Sequence, residues 1–467
     1  MKVSLEFFIF FSLILLSYSR TKEEWKTRAI YQLMTDRFAR RNDDNTTGCN
    51  FKEYCGGDHV GLKNHLDYIK NMGFDAIWIS PIVKNSEGSY HAYHTVDFYD
   101  INEHFGTKDE LLDLIDTCHE KGIWVMLDVV ANHVAPIGFD YRSINPFNSP
   151  EHYHDSCVIT DWTNQKMVEN CRLLDLPDLK HENDFVTDEL LRWIKWIINE
   201  YKIDGIRVDT VPEVPKWFWK KFQKASGVYQ IGEVFNGNVN YVAGYQECLD
   251  ATFNYPLSFT IKDAFGSHPG DKDHSMLDLK NYWENSRGTY IEPEVLGVFI
   301  DNHDNTRYLN DTNKSRESLE NASVFTIFFE GIPVLYYGDE QYYTGGVDPY
   351  NREPLWWSNF DETSPLYIKF ALSNKIRSKK NIWETQLENF ECDEDFCSFT
   401  RGDILVAVTR GQECEKTVKN HKFNVDDKIC NIFNEEECIT VTEDSIKLSM
   451  DKYPKVFVKE KDLELLK

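Results

Sequence analysis

The sequence predicts an α/β fold: a (β/α)8 TIM barrel with a small domain inserted after strand 3 and a C-terminal antiparallel β-sandwich domain. Three observations predict it. Short apolar runs of strand length alternate with stretches whose apolar residues recur at helical spacing. Three of those runs end in acids: Gly205-Ile-Arg-Val-Asp209, Ile231-Gly232-Glu233 and Phe299-Ile-Asp-Asn-His-Asp304. After about Ile382 the pattern changes to short alternating runs separated by turn residues. Eight strands alternating with helices, with acids at strand ends, read as a barrel rather than a doubly wound sheet.

In chain order, the expected strands are Ala29–Leu33, Ala76–Ser80, Trp124–Asp128, Gly205–Asp209, Tyr229–Glu233, a weaker Leu249–Phe253, Val295–Ile300 and Pro333–Tyr337. Lys108–Lys121 and Asp188–Tyr201 are amphipathic and read as helices. Residues 134–182, rich in Asn, Asp, Pro and His with a cysteine pair inside, are too long for an ordinary loop and read as an inserted domain. Ile404–Val408 and Lys455–Val458 are sandwich strands. The expected division is 1–19 signal peptide, 20–381 barrel with 134–182 inserted in it, and 382–467 sandwich.

Residues 1–19 have a secretory pattern: Lys2, an apolar Phe7–Leu16 broken only by Ser12, then Ser17-Tyr18-Ser19. The apolar run is short for a membrane anchor, and no later segment has a transmembrane pattern, so the chain reads as secreted or lumenal. Eleven cysteines agree with an oxidising compartment. Cys49 with Cys55, Cys157 with Cys171 and Cys392 with Cys397 look like local pairs, and Cys430 with Cys438 a fourth. Cys118, Cys248 and Cys414 are left over. Asn45, Asn310, Asn313 and Asn321 lie in glycosylation sequons.

The formal net charge of −26 argues against a nucleic-acid or anionic-membrane partner. It says nothing against a neutral ligand such as a sugar, and 14% aromatic residues suit one. The chain is expected to be a monomer.

Arg207 and Asp209 are two residues apart, so on a strand they point to the same side. A neighbouring guanidinium favours the ionised carboxylate, as a carboxylate nucleophile requires. The plain alternative is a structural ion pair closing a strand. Glu233 and Asp304, at two other strand ends, favour an active site at the carboxyl face of a barrel.

In this constellation the chain resembles the α-amylase family of glycoside hydrolases, in its secreted fungal-type branch. The resemblance rests on an ordered set: Asp128-Val-Val-Ala-Asn-His133, Leu176-Pro-Asp-Leu179, Gly205-Ile-Arg-Val-Asp209, Gly232-Glu-Val234, Asn302-His-Asp304 and the stretch from Gly338 to Glu353. It covers nearly the whole chain after the signal up to about residue 380. It implies that Asp209 is the nucleophile and Glu233 the general acid and base, in a retaining pair about 5–5.5 Å apart. Nearby carboxylates and desolvation are expected to keep Glu233 protonated. Asp304 would bind sugar hydroxyls and favour the distorted transition state.

The resemblance also implies that His133, His303 and Arg207 hold the sugar and the nucleophile, that Tyr93 is a stacking platform, and that Asp348 and Arg352 line the glycone side. The two histidines lack any partner at zinc-ligand spacing. Calcium is the implied cofactor, with Asn132, Glu169 and Asp178 as oxygen ligands and Glu213 offering its backbone carbonyl.

Three departures stand out. His94 stands where the branch has Trp, Pro212-Glu213 where it has Lys-His, and Cys248 has no cysteine before Cys392 to bridge to. Glu213 is expected to add negative charge near Glu233.

The favoured function is endo-hydrolysis of internal α-1,4 bonds in α-glucans such as starch, glycogen and maltooligosaccharides. The alternatives are an α-glucosidase or transglycosylase on the same fold, or a non-catalytic barrel used for binding or as a transporter subunit, which all three acids and the absence of a membrane-helix pattern argue against.

Overall fold

The computed structural model describes residues 20–266, 273–311 and 314–466; the expected signal at 1–19 lies outside them. Eight parallel strands form the barrel: β1 (Ile30–Gln32), β2 (Ala76–Ile79), β3 (Trp124–Val129), β4 (Gly205–Val208), β5 (Tyr229–Gly232), β6 (Ala251–Thr252), β7 (Gly297–Val298) and β8 (Ile332–Tyr336). They pair in the order β6-β5-β4-β3-β2-β1-β8-β7, and a parallel bridge from Phe253 to Gly297 closes the ring. Each falls within two or three residues of its expected position. β6 and β7 are two residues each, shorter than expected; at β7 the 3-10 turn Pro293–Val295 precedes the strand and the chain bends away after Val298.

Alternation along the strands sorts the core into two shells. Ile30, Ala76, Trp78, Trp124, Met126, Tyr229, Ile231 and Val334 fill the barrel interior. Their neighbours Tyr31, Ile77, Val125, Leu127, Ile206 and Leu335 face the surrounding helices. This period of two places every second strand residue inside. The helix expected over Lys108–Lys121 spans Lys108–Glu120, with a Thr107/Glu110 capping box. The one expected over Asp188–Tyr201 starts a turn earlier, at Asp184, because the Asn183 side chain accepts from Phe185 N–H and caps it.

The stretch after β3 carries 3-10 turns, the short helix Gln165–Val168 and the Cys157–Cys171 disulfide. It docks on a hairpin from the β2 loop, Val83–Asn85 with Thr95–Ile101, through Asn145 N–H to Val96 O and Ala135 N–H to Thr95 O.

Beyond Ile382–Glu384 a six-stranded antiparallel sheet and a two-stranded one follow. Leu405, Phe457, Ile446 and Leu448 pack between the two sheets. Phe399, Val406 and Val458 cover the barrel side, where Phe399 meets Phe325 edge-on at 5.7 Å. The four expected disulfides are present, and Cys118, Cys248 and Cys414 are free.

One expected glycosylation site does not survive folding. Asn321 is fully buried, donating to Glu317 O and Lys452 O and accepting from Thr409 N–H. Asn313 lies outside the described residues.

Candidate active site

The barrel register brings the acids together. Asp128 on β3 lies opposite Arg207 on β4, and Arg207 opposite Ile231 on β5. The ladder continues one step past the strands, with Asp209 N–H to Val129 O at 3.0 Å and Glu233 N–H to Val208 O at 2.8 Å. Asp209 and Glu233 therefore leave adjacent strands at the same level. Gly232 permits this closeness, since a Cβ there would sit 2.4 Å from Leu249 and 2.8 Å from Val211.

Arg207 takes a place in the barrel interior, at its carboxyl end, and is fully buried. Its Nη1 lies 2.7 Å from Asp209 Oδ1 and 3.0 Å from Asp128 Oδ1, and its Nη2 lies 2.9 Å from Glu233 Oε2. Glu233 also accepts from Thr210 N–H at 3.1 Å and from Tyr255 Oη at 3.4 Å. Thr210 makes its bond from a left-handed backbone (φ 47°), a strained conformation for a β-branched residue. Burial, reinforced by the charges of Asp209 and Asp304, lifts the Glu233 carboxyl well above the usual range, against the opposing pull of Arg207.

A second layer of contacts fixes Tyr93. Tyr93 Oη lies 2.7 Å from both Asp128 Oδ2 and His303 Nε2, and its ring stacks on His303 at 5.4 Å. Gln32 Nε2 donates to His303 Nδ1 at 2.8 Å. Burial, with Arg207 and Arg352 nearby, holds His303 well below its usual pKa. Both nitrogens of His303 are thus paired with protein groups. His133 Nε2 pairs with Tyr93 O at 3.2 Å from the other side.

Asp304 is partly exposed, 3.6 Å from Arg352 Nη2. Arg352 also holds Asp348 at 2.9 Å and donates to His303 O at 3.0 Å. His94 is half-buried beside His91, with ring centroids 4.6 Å apart.

The expected metal ligands converge from four segments. Asp178 forms a bridge pair with His133, and Leu179 N–H donates to Asn132 O at 2.8 Å. Gln165 Nε2 donates to Glu169 Oε1 at 2.9 Å and to Pro212 O at 2.8 Å, joining Glu169 to the Pro212-Glu213 turn. Three oxygens here are buried without a hydrogen-bond donor: Asn132 Oδ1, Asp178 Oδ1 and Glu213 Oε2. Burial is the main cause that pushes Glu213 up to about 8, with Asp209 and Asp178 adding to it. The Glu213 side chain is thus buried beside those acids, and Glu233's own rise comes from burial, Asp209 and Asp304. Among the described residues, no three His, Cys, Asp or Glu side chains by themselves form a metal cluster.

On the other side of Glu233 lies a cavity of about 440 Å³ walled by Trp162, Val168, Leu173, Pro212, Phe235 and Tyr241. Trp162 and Phe235 are more than half exposed. No cation lines it.

Sequence reasoning assigned no role to Asp128, Gln32 or Tyr255. Asp128 stands first in a quoted motif and its place at a strand end was a usable signal. Gln32 and Tyr255 carry no signal, because only the closed barrel brings them to His303 and Glu233.

The family model for the alpha-amylase catalytic domain matches residues 32–155 and 137–396. Alpha-amylase 1 of Lipomyces kononenkoae is 42% identical over 375 residues, 77% of this chain, but the match spans only 59% of that relative's length. The alpha-amylase of Saccharomycopsis fibuligera is 36% identical over 405 residues, 83% of this chain and 80% of the relative. Among solved structures, an alpha-amylase from Malbranchea cinnamomea aligns with a TM-score of 0.90 at 35% identity, covering 95% of this chain and 98% of that one.

Proposed function

Because the chain belongs to the alpha-amylase family, we propose that it is a retaining glycoside hydrolase that cleaves internal α-1,4-glucosidic bonds of starch, glycogen and maltooligosaccharides. The observation that carries this reading is the single guanidinium of Arg207 in contact with both Asp209 and Glu233, with the Glu233 carboxyl pushed upward by burial, Asp209 and Asp304, in the direction a general acid needs. A retaining enzyme needs its nucleophile and its acid close together, about 5–5.5 Å apart, and contact of both Asp209 and Glu233 with the one guanidinium supports that reading.

In this reading Asp209 Oδ attacks the anomeric carbon while Glu233 gives its proton to the departing glycosidic oxygen. Glu233, now ionised, then takes a proton from the water that hydrolyses the glycosyl ester. Asp304 holds sugar hydroxyls in the distorted ring, with Arg352 and Asp348 behind it. Tyr93 is the sugar platform in this reading, and keeps its orientation through Asp128 and His303.

Calcium is the cofactor we assign to Asn132, Glu169, Asp178 and the Pro212-Glu213 turn. The unpartnered oxygens of Asn132, Asp178 and Glu213 fit a hard cation, which prefers oxygen donors from separate loops. Bound there, it would supply positive charge tying the inserted segment to the barrel. We assign the chain to the extracellular or lumenal space, as a monomer divided at residues 134–182 and 382–467; four disulfides support the compartment.

The test is to incubate purified protein with soluble starch and resolve products by size and anomeric form. Mixed oligosaccharides that appear first as α-anomers are expected. Glucose alone, β-anomers or no hydrolysis would overturn the reading.

A further inference from the structure

Two loops far apart in sequence, one after β1 and one after β8, meet at the carboxyl face of the barrel. There Phe51 packs edge-on against both Tyr350 and Trp357, at 5.8 Å in each case. Tyr350 is 53% exposed and Trp357 44%. A soluble chain seldom leaves aromatic rings clustered in water without a use for them.

The backbones under these rings are fixed. Arg37 donates to Phe51 O and Glu53 O, both at 2.9 Å, and the Cys49–Cys55 disulfide closes the same turn. Gly345 abuts Tyr350 so closely that a Cβ would lie 2.0 Å from Tyr350 O. Trp356, next to Trp357, is buried under the Arg40 guanidinium at 4.4 Å.

The cluster is continuous with the cleft. Tyr350 stands two residues from Asp348 and from Arg352, which reaches Asp304. Arg37 lies 4.1 Å from the centre of the Tyr90 ring, and Tyr90 Oη accepts from Arg352. A glucan leaving the cleft past Asp348 would meet Tyr350 and Trp357 next.

We propose that Phe51, Tyr350 and Trp357 form an auxiliary binding platform for an α-glucan chain, contiguous with the glycone end of the cleft. It rests on the reading that the cleft takes α-glucans. The ligand is neutral and presents apolar sugar faces, which suits aromatic rings on a chain of net charge −26. Phe51 buttresses the two exposed rings, and they stack on the sugars.

The test is affinity electrophoresis in amylopectin, in a Glu233→Gln background so that the polymer persists, with hydrolysis of a short chromogenic maltoside measured separately in the Glu233 background. The Tyr350→Ala/Trp357→Ala pair should bind amylopectin roughly tenfold more weakly. The same pair should leave kcat/KM on the short maltoside and the Tm nearly unchanged, and Tyr350→Phe should retain binding. Unchanged retardation of the double variant would overturn the platform. So would a concentration-dependent dimer that only the aromatic protein forms, which would make the patch a contact between copies. If the protein hydrolyses no glucan, the activity reading fails while the retardation still reports on the platform.

Discussion

Arg207 Nη2 lies 2.9 Å from Glu233 Oε2, so the residue that holds the nucleophile also grips the acid. Asp128 and Asp209 share the other arm. A lysine has one compact charge in place of a planar fork and cannot keep both spacings. Arg207→Lys should lower kcat on starch by roughly 10²-fold or more with a smaller effect on KM. Steady-state kinetics checks it, and an unchanged kcat would deny the bridging role.

Asp209→Asn, Glu233→Gln and Asp304→Asn should each lower kcat by roughly 10³-fold or more while folding persists, because each acts on the transition state. Circular dichroism with starch assays checks this. Near-normal turnover in a clean preparation would remove that residue from the mechanism.

Glu233 has a consequence for stability. Its pKa is raised on folding, so the stability linked to it is present below its ordinary value near 4.5 and is lost as pH rises through the folded value. Glu233→Gln should thus melt a few degrees above the parent protein at pH 7, with the difference closing below about pH 4.5. Thermal melts across that range, at fixed calcium, report it. Equal Tm values at pH 7 would mean that the acid carries no folding cost.

Removing calcium should lower Tm by several degrees and readdition should restore it, since a ligand bound only by the folded chain stabilises it by mass action. The buried, donorless oxygens of Asn132, Asp178 and Glu213 are the reason. An unchanged Tm in excess chelator, with no metal by elemental analysis, would count against the site.

Among the described residues the cavity beyond Glu233 is lined by aromatic and aliphatic side chains with Thr210, Glu213 and Asn236 but no lysine. Its exposed rings are Trp162 and Phe235, the surfaces a sugar there would contact. Trp162→Ala and Phe235→Ala should each reduce kcat/KM on short maltooligosaccharides roughly fivefold to tenfold, and on starch less, because a long chain has other contacts. Adding a donor by Pro212→Lys should favour the short substrates. Equal losses on both substrates would place these residues outside the leaving side.

The sequence by itself determined the barrel, the strand ends and the order of the acids. Apolar period, strand length and the spacing of Arg207 to Asp209 are local properties of the chain. The four disulfides were legible too, since each closes a short loop. What only the tertiary structure decided depends on neighbours distant in sequence. Asn321 reads as a sequon, but helix packing buries it against Lys452 and Thr409. Glu213 reads as a substituted position, but the turn it sits in buries its carboxyl beside Asp178 and Asp209. Gln32 with His303, Tyr255 with Glu233 and Phe51 with Tyr350 come together only when the barrel closes. Closure sets side-chain distances through strand register, and register is a property of the sheet as a whole.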